Sequence, residues 1–118
     1  MKLYCFKYGE TEITEAMAFQ NGNPNAKITV SLLLFLIETN GKKILVDAGC
    51  DTMPGFPLFK HQKPVDVLEE NGFSTNEITD VVITHAHHDH IDGVRYFADA
   101  KIHIHQDEVE SGKEYLKN

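Results

Sequence analysis

The sequence predicts a mixed α/β layer arrangement, of the α/β (α+β) class, built as a single domain over residues 1–118. Three observations predict it. The first half reads as a long apolar β-hairpin. The second half alternates helical and strand patterns. A short apolar strand, DVVIT at 80–84, runs straight into a turn crowded with histidines. The length suits one domain. A formal net charge of -7 disfavours nucleic-acid or anionic-membrane partners and fits a solubilising surface.

The elements follow in order. Residues 2–8 read as a strand. Residues 28–38, ITVSLLLFLIE, begin with alternation and become continuously apolar, the pattern of a strand buried on both faces. Residues 39–42, TNGK, supply an Asn-Gly turn, which favours a type I′ hairpin. The returning strand is KILVD at 43–47, ending in Asp47-Ala48-Gly49. Residues 50–63 form a long loop carrying Met53, Phe56, Leu58 and Phe59, which either packs back onto the core or forms an apolar flap beside a site. Residues 64–70, PVDVLEE, read as a helix with proline in its first turn, ended by Asn71-Gly72. After the strand at 80–84, residues 93–97 read as helix and KIHIHQ at 101–106 as an alternating strand. A final helix over 107–117 has acids in its first turn to suit the macrodipole.

Two cysteines, Cys5 and Cys50, are too few for a disulfide framework and are expected to be small buried hydrophobes. The N-terminus has no apolar signal region, and the longest apolar run, 32–37, is too short to span a bilayer. A cytoplasmic, reducing setting is expected.

The chemistry lies in ITHAHHDHIDG, residues 83–93, which places four of the seven histidines within 85–90. His85, His87, Asp89 and His90 stand at offsets 0, 2, 4 and 5. On a continuous helix they would scatter around the axis, so this is not the HExxH arrangement. A strand would put the first three on one face and the last on the other. A tight turn after DVVIT allows all four to converge, as two pairs of donors. Two pairs point to two metals. Imidazole and carboxylate without thiolate suit zinc, with manganese, iron or cobalt also accommodated. His88 falls off the pattern and is expected to face solvent or bond to backbone. The alternative is a solvated histidine-rich turn, a poor stabiliser because protonated imidazoles repel one another.

The motif resembles the signature of the metallo-β-lactamase superfamily. The resemblance implies the N-terminal half of an αββα sandwich, with a mixed sheet carrying helices on one face. It also implies that His85 and His87 bind a first metal and that Asp89 and His90 bind a second. Asp47 would take the place of the family's acidic residue near the metals, orienting a ligand histidine; a plain strand-end cap is its alternative role. The implied activity is metal-dependent hydrolysis, with metal-activated water attacking an ester, lactone or thioester carbonyl and Asp89 orienting the nucleophile or relaying a proton to the leaving group. The hairpin and the aromatic-bearing loop resemble the branch that includes N-acyl homoserine lactonases.

The family completes its site with a third histidine, a bridging aspartate and a further histidine, all downstream of the last residue here. His103 and His105 alternate with Ile102 and Ile104 and are expected on a polar strand face; His61 is no better placed. Asp92 reads as a helix-start residue. Three explanations stay open: the N-terminal half of a larger hydrolase, a short protein completed by another chain (a homodimer included), or a non-catalytic metal-binding or interaction module.

Overall fold

The hairpin turn is set by two residues in the left-handed region, Asn40 at φ 48° and Gly41 at φ 76°. A two-residue hairpin needs this to match the twist of its strands. In the computed structural model, which describes residues 1–50, 57–85 and 87–110, that turn joins β2 (Lys27–Thr39) to β3 (Lys42–Val46). Ahead of it, β1 (Lys2–Thr14) runs six residues beyond the predicted strand and ends in a one-turn helix, α1 (Glu15–Ala18), capped by Thr14. Then come α2 (Pro64–Glu70), a 3₁₀ turn at Thr75–Glu77, β4 (Asp80–Ile83), α3 (His88–Ile91), a second 3₁₀ turn at Asp92–Tyr96, and β5 (Lys101–Ile104). Residues 106–110 begin the predicted last helix; its remainder lies outside the described residues.

The five strands form one mixed sheet in the order β1-β2-β3-β4-β5. The first three are antiparallel; β3–β4 and β4–β5 are parallel. Helical segments supply both parallel connections, as such crossovers require. The helices lie on one face of the sheet and enclose the core there. Leu34, Leu36, Leu45 and Val81 are fully buried against Leu68 and Val67 of α2, with Phe73, Ile78 and Phe97 filling the layer. Tyr4 and Phe6 of β1 pack their rings on Phe73.

The opposite face departs from expectation. β2 is not buried on both sides: Leu33 is 41% and Phe35 38% exposed, between fully buried Leu34 and Leu36. Cys5, opposite Phe35 in register, is exposed too, so only Cys50 is the buried small hydrophobe predicted for both cysteines. The physical reason is that α2 and the segments carrying Phe73, Ile78 and Phe97 pack on the other face, and among the described residues no second layer covers this one.

Of the long loop, residues 51–56, with Met53 and Phe56, lie outside the described residues. Leu58 packs on the core, whereas Phe59 is 42% exposed and pairs its backbone with Glu10 of β1. Among the described residues no helix is long and apolar enough to cross a membrane.

Candidate metal centre

The site forms where two backbone segments meet at the C-terminal ends of β3 and β4. Asp47 extends the β3–β4 pairing by one bond, N–H to the Val82 carbonyl at 2.8 Å, and then turns at φ 63°. The next two residues clamp the histidine turn: Ala48 donates to the His90 carbonyl at 2.8 Å, and Gly49 accepts from Gly93 at 2.9 Å. The approach is so close that a Cβ on Gly93 would collide with the Ala48 carbonyl oxygen. Glycine at 93 is therefore a packing requirement of the clamp.

The four candidate residues sit on that clamped turn. His85 follows β4, His87 precedes α3, and Asp89 and His90 lie on α3. The side chain of His88 lies outside the described residues. The rings of His85 and His87 meet edge to face at 4.5 Å between centroids, and those of His85 and His90 lie 3.9 Å apart. His90 joins two carboxylates, Nδ1 to Asp47 Oδ2 at 2.8 Å and Nε2 to Asp89 Oδ2 at 3.2 Å.

Asp47 organises more than His90. It accepts the Thr84 amide at 2.8 Å and the Thr84 hydroxyl at 2.8 and 3.0 Å. The Thr84 hydroxyl has one hydrogen, and Asp47 takes it. The contact at 3.0 Å between Thr84 Oγ1 and His85 Nδ1 is therefore a donation from His85. Both rings are thus held through Nδ1 by one carboxylate, His90 directly and His85 through Thr84. In neutral His85 this leaves the lone pair on Nε2. Thr84 carries no ligand chemistry of its own, so only its place directly before His85 marks it in the sequence.

The electrostatics follow from this wiring. Burial works against a charge on His90, but hydrogen bonds to Asp47 and Asp89 outweigh it and push the imidazole up to about 9. Burial and the neighbouring His90 and His87 lower His85. Burial raises Asp47, but the His90 and Thr84 bonds overcome it and hold the carboxyl below the usual range. The His90 bond lowers Asp89 in the same way. His90 thus lies between two carboxylates, Asp47 at Nδ1 and Asp89 at Nε2.

The other histidines lie elsewhere. His103 bonds Asp80 at 2.8 Å at the far end of β4, on the face opposite Ile102 and Ile104, as the alternation predicts. His105 lies beside Asp107, and His61 Nε2 meets the Cys50 carbonyl at 2.8 Å. Asp92 opens the second 3₁₀ turn, paired with Arg95. Among the described residues no three His, Cys, Asp or Glu side chains form a ready-made cage for one ion. The donor chemistry of the histidines and carboxylates, with Nδ1 of His85 and His90 tethered, is of the kind that suits a metal.

The profile of the family described as the metallo-beta-lactamase superfamily matches residues 33–117. An N-acyl homoserine lactonase of Agrobacterium fabrum is 26% identical over an alignment of 139 positions, covering 98% of this chain and 50% of that protein. A probable metallo-hydrolase of Mycobacterium tuberculosis is 29% identical over 85 residues, covering 60% of this chain and 27% of its own length. Among solved structures, an N-acyl homoserine lactone hydrolase with N-hexanoyl-L-homoserine at its catalytic metal centre superposes with a TM-score of 0.84 at 21% identity, over 93% of this chain and 50% of that one. A dizinc quorum-quenching lactonase superposes with a TM-score of 0.69 at 26% identity, over 92% and 42%. The chain thus spans half the length of the Agrobacterium lactonase. With the profile covering most of its length and its fold matching half of those lactonases, this chain belongs to the metallo-β-lactamase superfamily.

Proposed function

We propose that the chain carries the N-terminal half of a metal-dependent hydrolase that opens an ester, lactone or thioester, with His85 and His87 holding one metal and Asp89 and His90 a second. The observation that carries this reading is the tethering of His85 and His90 through Nδ1 to a single carboxylate, Asp47. Such a bond fixes the ring and raises the basicity of the other nitrogen. Zinc suits the donor set, with manganese, iron or cobalt as alternatives. When bound, the metal supplies an activated water at neutral pH and a Lewis acid for the carbonyl. The chain's own residues do the rest. Asp47 and Thr84 hold the imidazoles, and the clamp of Ala48 and Gly49 fixes the turn. Asp89 would take a proton on its carboxylate and pass it to the leaving oxygen of an ester or lactone, or to the leaving sulfur of a thioester. The lactonases among the relatives make a lactone the first substrate to try.

The test is metal content by elemental analysis of protein purified without added metal, with lactone and thioester hydrolysis assayed on the same sample. About two equivalents per complete site are expected, and His87→Ala should reduce both metal and turnover. Equal metal content and rate in His87→Ala would reject the assignment. The open sheet face favours a second reading, a non-catalytic metal-binding or interaction module that homodimerises through it. Bound metal and a dimer without turnover on any carbonyl substrate would select that reading.

A further inference from the structure

Tyr8 has no place in the chemistry above, yet it lies in the middle of the site's support. Within the β1–β2 register, Lys7 pairs with Leu33 and Gly9 with Leu32, so Tyr8 is the extra residue of a β-bulge. Tyr8 keeps the alternation of Tyr4 and Phe6 on the core side of β1, and its ring is 3% exposed, beneath the clamp. The ring lies against Gly49, where an added Cβ would come within 3.2 Å of Cζ, and edge-on to His61 at 5.9 Å. Its hydroxyl donates to the main-chain carbonyl of Asp89 at 3.2 Å, across 81 residues of sequence.

We propose that Tyr8 is a positioning residue for the Asp89–His90 pair, its hydroxyl fixing the backbone from which the Asp89 carboxylate is presented to a divalent cation. The inference rests on the metal reading above. Asp47 ties His85 and His90 by their side chains, and Ala48 ties the His90 carbonyl. Tyr8 adds the tie to Asp89 from β1. Without its hydroxyl, the ring still fills its space, but the Asp89 carbonyl loses that donor and the one-turn helix α3 is freer to rotate.

The experiment compares wild type with Tyr8→Phe in the whole protein, using zinc titrated against a chromophoric chelator, the cobalt(II) visible spectrum, and thermal melting of the metal-free forms. Phe keeps the ring and its packing. The expected result is near-equal melting of the metal-free forms, zinc affinity lower by about 10-fold in the variant, and an altered cobalt spectrum. Lower melting with unchanged zinc affinity and spectrum makes Tyr8 a packing residue and overturns the proposal. A Tyr8→Phe chain that does not fold overturns it too, because the hydroxyl would then serve the fold. Wild type that binds neither metal rejects the metal reading itself, a result distinct from equal binding by both proteins.

Discussion

Asp47 is the residue on which the candidate site turns, and its chemistry can be separated from its conformation. It sits at φ 63°, a left-handed backbone that Asn tolerates and most other side chains resist. Asp47→Asn therefore keeps the turn while removing the charge that grips Thr84 and His90. Outer partners of metal-binding histidines typically govern 10–100-fold in affinity, and a loss of zinc affinity of about that size is expected, with the fold retained by circular dichroism. Unchanged zinc binding would mean that Asp47 only caps the strand end. At this scale the sequence was informative where partners are close along the chain. The spacing of His85, His87, Asp89 and His90 is a local pattern. Asp47 became visible only through family likeness, and the role of Tyr8 not at all, because its contact to Asp89 joins residues 81 apart that only the folded chain brings together.

Among the elements, β4 has chemistry at both ends. Its C-terminal end leads into the histidine turn, and its N-terminal residue, Asp80, is 8% exposed beside His103 of β5. The His103 hydrogen bond, then that of Thr79, hold the Asp80 carboxyl below the usual range, with Lys42 adding a smaller pull. A carboxyl lowered in the folded state contributes stability above its unfolded value and loses it as pH falls through the folded value. The melting temperature of wild type should therefore exceed that of His103→Ala at pH 6 by a small margin, since His103 is well exposed. The gap should close as the pH falls below the ordinary aspartate range. A gap that stays constant down to that range would assign the effect of the substitution to lost β-strand packing. The alternation of KIHI showed which face His103 takes, because period two leaves no other choice. It could not show Asp80 as the partner, since that depends on the parallel register of β4 with β5.

For the molecule as a whole, the decisive feature is the uncovered side of the sheet. The continuous apolar run of β2 suggests two buried faces; the packing of α2 and its neighbours on one side, with no second layer among the described residues, leaves the other open. Leu3 is 66% exposed opposite Ile37, and Phe35 and Leu33 follow along the same face of β2, opposite Cys5 and Lys7. Contiguous apolar surface of this kind marks an interaction face, and covering each such side chain is worth on the order of 1 kcal/mol. Residues 1–118 produced alone should therefore self-associate at micromolar concentration and bind an apolar dye. A paired Leu33→Lys and Phe35→Lys substitution should reverse both, because two like charges on one face of β2 oppose any apolar cover. Leu34 and Leu36 point to the helix side and are untouched by that change, so the helix-side core should persist in the variant by circular dichroism. Sedimentation as a monomer without dye binding by the unsubstituted residues 1–118 would show that the face needs no cover, and would remove the main physical support for completing this half-sandwich with a second layer.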